Sequence, residues 1–324
     1  MRAVFVEELM EPGDLRVSEV AECRAGREQV VIGVRAAACN FSDVLMLKGE
    51  YQVKPPLPFI PGREAAGVVL EVGENVDRVK QGDRVLAYTD LGAFAERVCV
   101  DQAQVFRLPD SMSFEAGAVL PIVYPTSYAA LVDLAAIRPG ETLLVHAAAG
   151  GVGLAAVQIG RALGARVVAT AGGAEKLEVA RAAGAEVLID YRETDFVPRV
   201  LAETGGRGAD VIYDSVGGET TDRSLRCIAW KGRLVVVGFA SGRIPEIRSN
   251  RIMLKNIAVL GLNWPRYREE EPEKVDAILN ALMDLHAEGR IEPLIESVHP
   301  LEEVGEVLAA LAGRGTVGKR VLIP

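Results

Sequence analysis

The chain is short of the side chains on which most metal and nucleophile chemistry rests. Among 324 residues there are three histidines and four cysteines. His146, His286 and His299 are scattered, with no partner at ligand spacing, so no metal site is expected. Cys23, Cys39, Cys99 and Cys227 include no CxxC pair and no secretory context accompanies them. They read as small apolar residues rather than a disulfide framework. Aromatic residues make up only 5%, and no basic run interleaves with them. With 36 basic against 45 acidic residues the net charge is −9, which repels phosphate backbones and argues against a nucleic-acid partner. The longest mostly apolar stretch, near Ala129–Ile137, is too short to span a bilayer. The N-terminal MRAVFVEELMEPGDL lacks the basic-then-apolar layout of a signal peptide. No membrane association is expected, and the expected location is cytoplasmic.

What is present points to two domains, at about 100–200 residues each. Short apolar stretches such as Gln29–Ala36 and Ala66–Val72, set between Gly and Pro turn signals, make the first ~120 residues β-rich. Val53–Gly62 carries four prolines and reads as a loop. After Pro139-Gly140 the rhythm changes. The apolar run Leu143–Ala147 is followed by Val152, Ala155, Ala156, Ile159 and Leu163, the spacing of one helix face. Arg166–Ala171 reads as a strand and Ala174–Ala183 as a helix ended by Gly184. Val187–Asp190, Val211–Tyr213, Leu234–Val237 and Val259–Leu262 supply further strands. This alternation predicts an α/β class, a doubly wound parallel sheet covered by helices. In the tail, Glu273–Glu288 and Leu301–Leu311 read as helices and VGKRVLIP as a closing strand. The tail is short for a domain and is expected to pack on the N-terminal region, giving segments 1–122, 123–264 and 265–324.

The strongest motif is His146–Gly153, HAAAGGVG, between an apolar strand and an amphipathic helix. Its Ala148-x-Gly150-x-x-Gly153 is the dinucleotide spacing GxGxxG with Ala in first place. Ala149, Gly150, Gly151, Val152 and Gly153 are the expected cofactor-binding turn. Gly150 lets the backbone approach a pyrophosphate, Gly153 lets helix and strand pack closely, and the helix N-terminus faces the phosphates. An NAD site places a carboxylate at the end of the second strand. Here that strand ends Ala169-Thr170-Ala171-Gly172-Gly173, with Lys176 one turn further on and Tyr191 and Arg192 after the third strand. The expected cofactor is therefore NADPH.

Together these residues resemble the zinc-independent quinone oxidoreductases (zeta-crystallin-like) of the medium-chain dehydrogenase/reductase superfamily. Besides the cofactor loop, the resemblance rests on Asn40-Phe41-Ser42-Asp43, Gly49-Glu50-Tyr51, GREAAG at 62–67, GDRV at 82–85 and the closing segment from Arg314 to Lys319. LKNIAVLGLNWPRYRE is closest to the quinone-oxidoreductase-like subgroup. The resemblance implies a GroES-like catalytic domain completed by the C-terminal segment, and a Rossmann NADP-binding domain. It also implies a homodimer paired through the Rossmann edge strand at Ile257–Leu262. It implies a nicotinamide-side role for Asn40, counted with Tyr51 as a candidate catalytic residue. Gly172, Lys176, Tyr191 and Arg314 match the 2′-phosphate neighbourhood, Thr126 a phosphate-side residue, and Gly238, Phe239 and Ser241 a loop facing the nicotinamide. Asn263, after the last strand, is expected to reach the same ring. Pro125 before Thr126 departs from the family pattern, where Gly is common.

In the zinc branch, Cys, His and Cys hold the metal. Asn40 and Arg63 stand at the first two positions, and a guanidinium cannot bind zinc. Glu64 then reads as one half of a salt bridge or hydrogen bond. Without a Lewis acid the enzyme needs an acceptor that is already electrophilic, which makes a quinone the expected substrate. Two alternatives stay open. One is reduction of an enone or 2-enoyl thioester, with Tyr51 either donating a proton or only packing. The other is a non-catalytic NADPH-binding structural protein.

Overall fold

The computed structural model describes residues 1–313 and 315–324; the expected 2′-phosphate residue Arg314 lies outside them. The chain forms two compact units, 1–122 with 293–324, and 123–292. The segment 265–292, expected to join the N-terminal region, instead stays with the second unit. The reason is packing: the helix Pro272–Ala287 buries Val275, Ile278, Leu279, Leu282 and Leu285 along one face, each worth about 1.5–3 kcal/mol when covered.

The first unit is built on a seven-stranded sheet. Gln29–Ala38 lies at its centre, paired antiparallel with Glu64–Val72, Arg97–Asp101 and the closing strand Lys319–Ile323. Glu64–Val72 continues to Arg84–Tyr88 and then Val105–Arg107, and Ile295–Pro300 lies parallel to the closing strand. Val30, Ile32, Val69, Val85, Phe94 and Leu308 are among the residues of one core. Gly33 and Gly67 face each other across the central pair. A Cβ on Gly67 would lie 2.1 Å from the Gly33 carbonyl oxygen, so only glycine fits. The proline-rich loop is pinned at Phe59, whose backbone exchanges two hydrogen bonds with Val6. A short helix, Phe41–Leu47, follows the central strand directly; its first turn is set by the Asn40 N–H donating to the Asp43 carboxylate at 2.7 Å.

The second unit holds six parallel strands in the order Val187–Asp190, Arg166–Ala171, Thr142–Val145, Ala209–Asp214, Ile228–Val236, Ala258–Gly261. Counted from Thr142–Val145 this is the doubly wound order 3-2-1-4-5-6. Leu144, Val168, Ile189, Ile212 and Leu234 fill one side of the sheet. The helix Gly151–Ala162 is buried without a break from Gly153 to Gly160, broader than the single stripe its periodicity predicts. Gly184, at φ +114°, ends the helix Ala174–Ala183 in the left-handed region that favours glycine.

Phe114–Tyr128 is α-helical despite Pro121 and Pro125, and continues as a π-helical run over Ala129–Leu134. This corrects the sequence reading of apolar runs. Phe114–Leu134 is long and apolar enough to cross a membrane by length and composition, but most of it is buried inside the protein, as in a core helix.

Candidate functional site

In the second unit the sequence-predicted residues gather at the carboxyl ends of the parallel strands, where open α/β sheets bind ligands. The loop from His146 to Gly150 leaves the strand Thr142–Val145 and turns into the helix Gly151–Ala162. Ala147 adopts φ +50°, a strained value for a residue with a Cβ, and its carbonyl accepts from the Gly150 N–H. No side chain caps the helix at Gly150, so its first N–H groups are left for a ligand. The two glycines differ. A Cβ on Gly153 would sit 2.3 Å from the Ala147 carbonyl oxygen, whereas one on Gly150 would meet only that oxygen, at 3.4 Å. Gly153 is required by the fold, and Gly150 keeps the approach to the helix N-terminus open.

Beneath this loop His146 is fully buried, hydrogen-bonded to Thr170 Oγ1 at 2.9 Å and Ser224 Oγ at 2.8 Å. Burial pushes its pKa down to about 4, so it is neutral at pH 7 and ties the strand Arg166–Ala171 to the helix Glu219–Ser224.

Gly172 follows the strand Arg166–Ala171, and an added Cβ there would meet Arg192 Nε at 2.6 Å and Tyr191 Oη at 2.8 Å. Lys176 lies in the first turn of the next helix. Asp190, at the end of the neighbouring strand Val187–Asp190, is engaged with backbone, accepting from the N–H groups of Gly173 and Arg192, both at 2.9 Å. Asp190 thus holds Arg192 and Gly173 rather than a ribose hydroxyl. Gly238, Phe239 and Ser241 follow the strand Ile228–Val236, and Asn263 precedes the helix Trp264–Glu270. Thr126, by contrast, lies in the helix Phe114–Tyr128 and not at a strand end.

The sequence reading missed the loop Ser215–Gly218. It joins the Phe239–Ser241 loop through Ala240 N–H to Ser215 O at 3.0 Å and Ser241 N–H to Val216 O at 2.9 Å. Asp214 sets this turn by accepting from the N–H groups of Val216 and Gly217. The signal was present as Asp-Ser-Val-Gly-Gly directly after a strand.

The first unit holds Asn40 and Tyr51. Asn40 is drawn into a buried polar cluster. Its Nδ2 donates to Glu64 Oε1 at 2.9 Å, and its Oδ1 accepts from Lys319 Nζ at 2.6 Å. Lys319 Nζ also donates to Cys39 O at 2.6 Å and to Glu64 Oε1 at 2.8 Å. Glu64 Oε2 accepts from the Ile122 backbone N–H at 3.0 Å. Burial pushes the Glu64 carboxyl up while Lys319 pulls it down. Tyr51 lies beside Arg63, whose Nη1 donates to its phenolic oxygen at 3.2 Å.

Two family models match this chain. One, for the alcohol dehydrogenase GroES-like domain, covers residues 26–110, and one for zinc-binding dehydrogenases covers residues 151–280. Quinone oxidoreductase-like protein 2 of Mus musculus is 38% identical over 322 residues, 99% of this chain and 91% of that protein. The crystal structure of Escherichia coli quinone oxidoreductase complexed with NADPH superposes with a TM-score of 0.93 at 34% identity, covering 100% of both chains. The chain belongs to the quinone oxidoreductase family of medium-chain dehydrogenases/reductases. A crystal structure of the CurK enoyl reductase is also similar, with a TM-score of 0.90 at 28% identity over 99% of this chain and 98% of that one.

Although one matching model is named for zinc, this quinone oxidoreductase family member has a different donor set. The Arg63 guanidinium cannot ligate a metal, and the Asn40 amide is already bonded to Glu64 and Lys319. Among the described residues no group of three or more His, Cys, Asp or Glu side chains could hold a metal ion.

Proposed function

We propose that the chain is an NADPH-dependent reductase that passes hydride to a quinone or a similar electrophilic acceptor. The observation that carries this reading is the end of the strand Arg166–Ala171. Gly172 lies beneath the Arg192 guanidinium and the Tyr191 hydroxyl, Lys176 follows, and the nearby Asp190 carboxylate is bonded to backbone. That is a cationic cradle for a 2′-phosphate, not an acceptor for a 2′-hydroxyl. The uncapped helix N-terminus beyond the open face of Gly150 fits a pyrophosphate. When bound, NADPH supplies a hydride. The protein's part is to hold the phosphates, bind an acceptor and supply a proton.

Among the described residues the strand Ala258–Gly261 ends the six-stranded sheet with one backbone edge unpaired, and a second copy related by twofold symmetry would continue the sheet. We propose a homodimer on that edge. Reduction of a carbon–carbon double bond conjugated to a carbonyl is a second reading, favoured by the Tyr51 hydroxyl, whose hydrogen has no acceptor among the described residues.

The test is titration with NADPH and NADH, followed by nicotinamide fluorescence, on the protein and on Lys176→Ala. A charge-assisted phosphate contact is worth about 1.5–3 kcal/mol, or about 10- to 150-fold in affinity. NADPH is expected to bind that much more tightly, with the preference reduced in the variant. Equal binding of NADH would refute the cofactor assignment.

A further inference from the structure

Arg63 is 9% exposed, yet its guanidinium is not spent on the buried carboxylate near it. Asp43 is fully buried, feels the Arg63 charge, and still leaves its Oδ1 without a hydrogen-bond partner. Arg63 instead lies over the Tyr51 ring, 5.5 Å from its centroid, and reaches the Tyr51 oxygen at 3.2 Å and Ser42 Oγ at 3.5 Å. A guanidinium only donates. The Tyr51 oxygen is therefore the acceptor in this contact. Its lone hydrogen is turned away from Arg63.

We infer that Arg63 is a positioning residue for Tyr51: it fixes the phenol so that its hydrogen points at the acceptor's oxygen, and it balances the negative charge left when that proton is given up. The inference deepens the reductase reading and rests on it. Hydride addition at one end of a conjugated acceptor moves an electron pair onto the carbonyl oxygen at the other end. The Tyr51 O–H bond breaks, its proton forms an O–H bond on that oxygen, and the electron pair of the broken bond stays on Tyr51. The Arg63 donor bond, charge-assisted from the guanidinium side throughout, then joins two ions. Water restores the Tyr51 proton.

The experiment measures steady-state kinetics with NADPH and two acceptors, 1,4-benzoquinone and 2-cyclohexen-1-one. The variants are Arg63→Gln, Arg63→Lys, Tyr51→Phe and the Arg63→Gln/Tyr51→Phe pair. NADPH affinity by fluorescence and near-UV circular dichroism are read alongside. Arg63→Gln and Tyr51→Phe are each expected to lower kcat about 10- to 100-fold, with the acceptor KM and the NADPH affinity within about twofold of the parent. The double variant is expected to fall no further than Tyr51→Phe, because the two act as one device. Arg63→Lys, which keeps the charge, is expected to recover part of the loss. The inference is overturned if Arg63→Gln retains the parent kcat, if the two losses multiply, or if both Arg63 variants lose NADPH affinity and the dichroism signal together. Reduction of either acceptor with Tyr51→Phe unimpaired overturns it and leaves the reductase reading standing. If the parent binds NADPH and reduces neither acceptor, the reductase reading fails first.

Discussion

Replacing Lys319 with methionine tests the buried cluster most directly, because methionine refills the volume without the charge. Three hydrogen bonds disappear, to Cys39 O, Asn40 Oδ1 and Glu64 Oε1. Glu64, with 0% of its surface exposed, loses its cation. Breaking a buried pair from one side costs about 3–5 kcal/mol. Glu64 can limit the loss by taking up a proton, since burial already pushes its carboxyl up and Lys319 is the chief influence pulling it down. Holding it protonated at neutral pH, against an ordinary value of 4.5, costs free energy that increases with pH. A carboxyl raised on folding gives stability that is full below its unfolded pKa and is lost as pH rises. The deficit of the variant should therefore grow as pH rises from 5.5 to 7. Both tryptophans, Trp230 and Trp264, lie in the other unit, so fluorescence does not report on this one. Amide exchange in the strands Gln29–Ala38 and Glu64–Val72 does. Adding Glu64→Gln should recover most of the loss. A deficit below about 1 kcal/mol that does not change with pH, or a double variant as unstable as the single, would refute the reasoning.

Two further variants separate folding from binding in the cofactor loop. Gly153→Ala forces a Cβ to 2.3 Å from the Ala147 carbonyl oxygen and should lower the thermal midpoint as well as NADPH affinity, whereas Gly150→Ala should keep the midpoint and lose affinity about 10- to 100-fold. His146 sets an acid limit on the second unit. Its pKa is held down near 4 by burial against an ordinary 6.5, so its contribution is complete above pH 6.5 and is lost as pH falls toward 4. The stability gap between the parent and His146→Gln, read from urea midpoints by tryptophan fluorescence, should shrink by about 2 kcal/mol between pH 7 and pH 5; a constant gap would show that His146 is not held neutral.

The second unit was legible because its signals are local. The offsets from Val152 to Leu163, the glycines of the cofactor loop and the stop at Gly184 lie within a few turns of what they determine. The helix Phe114–Tyr128 was not legible: it is apolar all round, so it has no stripe to detect, and Pro121 and Pro125 read as breakers. The helix Pro272–Ala287 was found, but periodicity shows that a helix has a buried face and not which body covers it. The site divides in the same way. Residues after each parallel strand follow from topology, whereas the partner of Glu64 lies 255 residues away and no local pattern points to it. Asn40 was expected to face a ligand. Its amide is also bonded on both sides, to Glu64 and Lys319, a geometry that only the assembled cluster reveals.

That cluster also bears on the order in which the molecule can be finished during synthesis. The strand Gln29–Ala38 and Glu64 leave the ribosome early, but the strand Lys319–Ile323 that pairs with one and the ammonium that neutralises the other come 279 and 255 residues after Asn40 and Glu64. All of 123–292 is made in the interval, and its six-stranded sheet needs nothing from later residues. The first unit is therefore completed only after the strands of the second sheet have been made, and until then Gln29–Ala38 lacks its partner at Ala37 and Ala38, an open edge through which nascent proteins misassociate.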